Sequence, residues 1–259
     1  MRVGVHDPSG VFRDAIAELP AAAAASVSPH GAIAVVSGGA GWPAETTRVI
    51  ADGAIAVVVS EPAVVEPGAL AALVAQVRVP LVIARHRLRA DVAAEAASRA
   101  AGRLGTVVEA SAGLAQHPLV LQDAIGWGRT LAGGRLALVA AARTATAVSA
   151  LFDHQGLPVT LQVSRARTGT PVIRALTLGP ARVAVTVDEG ALAQRVESVT
   201  ADGALGLPTR WEAAPRVALR RAIASLAGGE RPDDLDDLVH DARLADELGA
   251  RVIANAATT

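Results

Sequence analysis

In the first part of the chain, wholly apolar runs alternate with amphipathic stretches. Arg2–Val5, Ala32–Val36, Ala54–Val59 and Leu81–Ala84 are short and almost entirely apolar, the pattern of strands buried on both faces. Between them, Val11–Leu19, a stretch from Trp42-Pro43 to about Ala51, and Pro67–Val77 place apolar residues at helical spacing. His86–Arg103 follows as an Ala-rich helix with regularly spaced Arg and Asp or Glu. Turn signals separate these elements at His6-Asp7-Pro8-Ser9-Gly10, Ser37-Gly38-Gly39-Ala40-Gly41 and Ser60-Glu61-Pro62. Ala21–Ala25 either prolongs the first helix or fills a linker, so no strand is expected between Leu19 and Ala32. The alternation predicts a parallel sheet with helices on both faces.

Beyond about Leu104 the period changes. Thr106–Ala110, Arg135–Ala141, Pro158–Arg165, Val172–Leu178, Arg182–Val187 and Gln194–Val199 are strand candidates, several alternating with period two. Thr168-Gly169, Gly179-Pro180, Asp188-Glu189-Gly190 and Asp202-Gly203 supply the turns of a largely antiparallel sheet. Leu119–Leu131 and Thr144–Phe152 read as interspersed helices. Pro215–Leu226 and Leu235–Leu248 close the chain, divided by Gly228-Gly229-Glu230-Arg231-Pro232. The expected fold is α/β plus α+β: a truncated Rossmann-like domain over residues 1–103, then a mostly antiparallel sheet with flanking helices over 104–259.

Composition narrows the chemistry. All 24 Lys/Arg positions are arginine, and Tyr and Cys are absent, so proton transfer and nucleophilic attack rest on His, Asp, Glu, Ser, Thr or backbone groups. Codon bias accounts for arginine replacing lysine on a surface, but a guanidinium stays protonated and makes a poor acid. Aromatic residues make up 2%, leaving Phe12, Phe152, Trp42, Trp127 and Trp211 as the large rings among an aliphatic core. A net charge of −1 with no arginine stripe argues against nucleic acid as a partner. Every apolar run is interrupted too early to span a membrane, and a cytoplasmic protein is expected. The six histidines include no pair at metal-ligand spacing, so no metal site is expected.

Three segments, in order, carry a family pattern: Ala32–Pro62 with its strand, glycine loop, helix and strand ending in Glu61-Pro62; Glu197–Pro208; and the helix pair Arg216–Leu248. Together they resemble the glucose-fructose oxidoreductase and inositol dehydrogenase (Gfo/Idh/MocA) family. The resemblance implies a dinucleotide-binding fold joined to a sheet that binds substrate and makes oligomer contacts. It also implies NAD or NADP as cofactor and a sugar or cyclitol as substrate. Family members carry a lysine in Glu-Lys-Pro near the reacting hydroxyl, and Glu61 stands at that position here. A carboxylate there opposes a developing alkoxide unless it is protonated or acts as a base. Counting back from Gly133 puts Asp123 at the family's catalytic histidine and Gly126 at its aspartate. Asp123 either substitutes as base or serves the helix structurally.

The dinucleotide fingerprint G-x-G-x-x-G is replaced by Gly4-Val5-His6-Asp7-Pro8-Ser9-Gly10, which puts an acid where a diphosphate would lie. The family's next strand, with its ribose-binding acid, has no expected counterpart, as if one or two βα units were deleted. Gly38, Gly39 and Gly41 precede a helix and form either a backbone anion cradle or a plain turn. Arg85-His86-Arg87-Leu88-Arg89, at the end of a strand, either receives an anion or partner acid, or is a solvated helix start. The sequence supports a degenerate oxidoreductase relative without standard nicotinamide cofactor binding, acting as a noncatalytic subunit. Such a subunit would associate through its second sheet with itself or an intact homologue, with a small sugar-like ligand as a further possibility. The alternative is an enzyme on a sugar or cyclitol that uses Glu61, Asp123 or His6 in altered acid/base roles.

Overall fold

The computed structural model describes residues 2–167, 169–207 and 212–256, with the side chains of 251–256 excepted. Thr168, Pro208 and Trp211, named above, lie outside the described residues. The contact pattern divides the chain into two compact units, Met1–Arg89 with Trp211–Val239, and Ala90–Arg210 with His240–Thr259. The sequence reading placed all of 104–259 together, whereas residues 211–239 cluster with the first unit.

The first unit contains β1 (Val3–His6), α1 (Arg13–Ala17), β2 (Ala23–Ala25), β3 (Ala32–Ser37), α2 (Trp42–Ala51), β4 (Ala56–Ser60), α3 (Pro67–Gln76) and β5 (Leu81–Ala84). Its strands form one parallel sheet in the order β2-β1-β3-β4-β5. Strand β2 corrects the expectation of a deleted βα unit. The alanine tract enters the sheet because Val3, Gly4 and Val5 pair with Ala23, Ala24 and Ala25; nothing in an all-alanine stretch signals that edge pairing locally.

Alternate strand residues point to opposite faces. Val3, Val5, Ile33, Val35, Ala56, Val58 and Val82 pack with Phe12 and with Ala218, Leu219 and Ala222 of α6 (Ala214–Gly228), while α2 and α3 pack against one another and α2 against β3 and β4. Asp234, at the start of α7 (Asp234–Ala256), closes the sheet edge. Its carboxylate accepts from Arg221 at 2.6 and 2.8 Å and from the backbone N–H of Ile83 in edge strand β5 at 2.9 Å. An acidic first turn satisfies the helix dipole in any case; this one also caps an otherwise open strand edge.

The second unit begins with α4 (Ala90–Arg99), shorter than the helix expected over His86–Arg103, followed by β6 (Gly105–Ala112) and α5 (His117–Ala132). Next come β7 (Ala137–Arg143), β8 (Ala147–His154), β9 (Leu157–Arg165), β10 (Val172–Leu178), β11 (Arg182–Asp188), β12 (Ala193–Thr200) and β13 (Gly203–Gly206). The sheet runs β13-β12-β11-β10-β6-β9-β8-β7 and is antiparallel except where β6 lies parallel to β9. Thr144–Phe152, expected as a helix, is instead mostly β8. Val148, Ala150 and Phe152 are buried on one face, and Gln155 and Gly156, at φ of 53° and 85°, form a two-residue hairpin loop into β9. Both loop residues in the left-handed region match the turn that suits twisted strands, which outweighs the helix propensity of the alanines.

Helix α5 lies across β6, β9 and β10, and Gly128 permits that approach, since an added Cβ would sit 3.2 Å from Val159. Arg129 and Asp241 form an ion pair at 2.9 Å, with the Asp241 side chain fully buried. Asp241→Ala should lower the stability of this unit by about 3–5 kcal/mol, because a buried guanidinium loses its charge partner. Urea denaturation followed through buried Trp127 measures this, and a loss below about 1 kcal/mol would contradict the assigned role.

Candidate functional site

Ligands of open parallel sheets gather beyond the carboxyl ends of the strands, and in the first unit those ends carry His6, Ser26, Ser37-Gly38, Glu61 and His86. Asp7 opens the turn after β1. Its carboxylate accepts from the backbone N–H of Gly10 at 3.0 Å and of Phe12 at 2.7 Å, and from the Ser9 hydroxyl at 2.6 Å. Two backbone N–H groups and a hydroxyl of this turn are thus engaged by a side chain of the same turn. His6 turns sideways, its Nδ1 3.3 Å from the Ser26 carbonyl. After β2 come Ser26, Val27 and Ser28, with neither an acid for a ribose nor an arginine for a 2′-phosphate, and the Ser26 hydroxyl donates to the Ser28 carbonyl.

Glu61 follows β4 with φ of 51°, a left-handed conformation unusual for a residue with a side chain. Its N–H donates to the Ala84 carbonyl, and any side chain at Gly38 would strike its own carbonyl, so backbone on both neighbouring strands fixes its position. The carboxylate remains largely exposed, with His86 Nδ1 at 3.4 Å from Oε1. The sequence named Glu61 and His86 separately, and the strand order brings them together. Arg85 and Arg87, expected either to receive an anion or partner acid or to form a solvated helix start, are buried.

Of the N–H groups at the glycine turn, that of Gly38 donates to Ser60, that of Trp42 to Gly39 and that of Glu45 to Gly41, while Pro43 has none.

Asp123 belongs to the second unit, on α5, and is 2% exposed. Two histidines of this unit, singled out by no local motif, lie near arginines, His117 buried and His240 half-buried. Burial holds the His117 imidazole below its ordinary value of 6.5; Arg165 and Arg143 push the same way, against a hydrogen bond to the Val163 backbone. Among the described residues its Nε2 has no hydrogen-bond partner. Burial likewise lowers His240, with Arg129, Arg135 and Arg243 adding to it and Asp241 opposing, and His240 Nε2 accepts from the Leu136 N–H at 3.0 Å. Among the described residues, no group of three or more His, Asp or Glu is placed to hold a metal ion, and no helix is long and apolar enough to cross a membrane.

No family model and no curated relative matches this chain by sequence. Solved structures do match over nearly its whole length. The UDP-N-acetylglucosamine 3-dehydrogenase GnnA from Acidithiobacillus ferrooxidans aligns with a TM-score of 0.71 at 14% identity, covering 98% of each chain. Its fold is that of the Gfo/Idh/MocA sugar oxidoreductases. GenD2 of gentamicin A biosynthesis, solved with NAD, aligns at TM-score 0.67 and 18% identity over 98% of this chain and 95% of its own. KijD10, a 3-ketoreductase from Actinomadura kijaniata solved with TDP-benzene and NADP, aligns at 0.65 and 14% over 95% and 96%. The Gfo/Idh/MocA fold places Glu61 at the end of the strand two removed from β1.

Depressed histidines give the second unit a pH dependence of definite sign. Because His117 and His240 are held below their ordinary value in the folded unit, the unfolded chain takes up more protons than the folded one as pH falls through about 6.5. Their contribution is fully present above that value and is lost on acidification. Urea unfolding through Trp127 should show stability falling between about pH 7.5 and pH 5.5, with a shallower slope in His117→Gln. An unchanged slope in that variant would exclude His117 as a source.

Proposed function

We propose that this chain is a noncatalytic relative of the nicotinamide-dependent sugar oxidoreductases whose fold it shares, acting as a subunit that associates through the eight-stranded sheet. The observation that carries the reading is the Asp7 carboxylate on the N–H groups of Gly10 and Phe12. A diphosphate placed there meets a fixed negative charge and engaged donors, where dinucleotide binding calls for glycines and free N–H groups. Two further features support it. The turn after β2 offers no group for the ribose, and the position of the family's lysine carries Glu61, whose negative charge opposes an alkoxide. Substrate-like sugars remain candidates for a bound ligand, since hydroxyls ask only for hydrogen-bond partners.

The contact between His86 and Glu61 favours a second reading, an enzyme with altered acid/base groups acting on a sugar or cyclitol. An imidazole oriented by a carboxylate can carry a proton without a lysine.

Titrating the purified protein with NADH and with NADPH, followed by nicotinamide fluorescence, separates the two. No saturable signal should appear in the micromolar range. Saturable micromolar binding of either coenzyme would overturn the noncatalytic reading.

A further inference from the structure

On the face of the eight-stranded sheet that α5 covers, the strands present buried apolar residues, and two arginines interrupt that order at one end. Ala110 and Ala112 of β6 lie beside Val163 and Arg165 of β9. Val163 is opposite Val148 of β8, and Val148 is opposite Arg143 of β7, so one row across this face reads Ala110, Val163, Val148, Arg143. Residues two apart on a strand share a face, which puts Arg165 on the same side as Val163. Among the described residues, neither guanidinium makes a hydrogen bond or ion pair. No carboxylate stands beside them either. Residues 113–116 and 144–147 contain no acid, β7 and β9 have none, and Asp153 of β8 is at the opposite end of its strand. Glu109 of β6 alternates to the other face, and Asp188 ends β11, three strands from β9.

Helix α5 begins at the same place. His117, its first residue, is 4% exposed and bonds the backbone of Val163, in the row that ends at Arg143. Its Nε2 is buried and has no partner among the described residues, so the bond to Val163 is made by Nδ1. Arg143 is two strand spacings, about 10 Å, from Val163, and the charges of both arginines reach the imidazole. The helix start adds a donor. No side chain caps it, Pro118 has no N–H, and the N–H of Leu119 is left without a partner among the described residues. Two unpaired guanidiniums, a free N–H at a helix start and a buried ring nitrogen have one demand in common, the oxygens of an anion.

We infer that this cluster binds a small oxyanion, a phosphate ester or a carboxylate, through Arg143, Arg165, His117 Nε2 and the Leu119 N–H. The two guanidiniums take the ionised oxygens in their planar forks. Because Nδ1 donates to a carbonyl, Nε2 of the neutral ring is an acceptor. It receives the O–H of a hydrogen phosphate, or of a hydroxyl next to a carboxylate. The bound anion supplies the negative charge that no side chain at this end of the sheet provides, and it relieves the repulsion between the arginines. The site goes beyond the noncatalytic reading, since it requires neither a coenzyme nor turnover.

Isothermal titration calorimetry on the full chain, in chloride buffer of constant ionic strength, tests this with inorganic phosphate, methyl phosphate and gluconate as probes. At least one should bind with Kd below about 1 mM. Binding of the phosphates alone identifies a phosphate ligand, binding of gluconate alone a sugar acid, and binding of all a site for oxyanions in general. Arg143→Gln and Arg165→Gln should each weaken that binding about tenfold or more. Arg143 is exposed on an edge strand, so its variant keeps the fold, which circular dichroism verifies. The ring-proton resonance of His117, assigned by its loss in His117→Gln, should shift with the same midpoint as the calorimetric titration. No saturable heat from any probe up to about 10 mM, unchanged affinity in folded Arg143→Gln, or an unmoved His117 resonance would overturn the site. Each of these results would leave the coenzyme titration, and the noncatalytic reading it tests, untouched.

Discussion

Five parallel strands, of which β3, β4 and β5 are buried on both faces, set the constraint on which the first unit depends. Their side chains are aliphatic and make no directional demands, so the placement of the sheet is governed by its backbone donors and acceptors, each of which needs a partner once water is excluded. Pairing satisfies the interior strands. At the edge the demand falls on Asp234, which bonds the Ile83 N–H while holding Arg221 and so ties α6 and the start of α7 to β5. At the carboxyl ends the backbone of Glu61 is gripped by Ala84 and packed against Gly38. The turns beyond these fixed points carry little of the sheet's stability and are free to vary.

The ligand edge of this fold carries Asp7, Glu61 and His86. A turn that closes on its own carboxylate at Asp7 remains well bonded. A glutamate in place of lysine costs the sheet nothing, because its side chain points into solvent near His86.

The second unit solves a different problem. One sheet face is buried by α4 and α5, and the unit carries a buried ion pair between Arg129 and Asp241 and two histidines whose values burial and nearby arginines lower. Charges in such surroundings are tolerated only in fixed pairs. The opposite face is mixed in polarity and ordered in rows, with Glu109 directly opposite Arg174.

Periodicity in the sequence was enough to determine the two-part architecture. Wholly apolar runs such as Ala54–Val59 and alternating ones such as Arg182–Val187 report burial on two faces or one, a property local to each strand. It was not enough for β2, whose alanines bear no mark of an edge strand, nor for β8, where helix propensity was overruled by the left-handed Gln155-Gly156 loop. The site was legible as residue types: Asp7, Glu61 and the lack of lysine were visible at once. Only the tertiary structure decided what these groups touch. Asp7 on Phe12, His86 beside Glu61, Asp234 on Ile83 and Glu109 across from Arg174 depend on strand order and register, and register is set by the packing of the whole sheet rather than by any one segment.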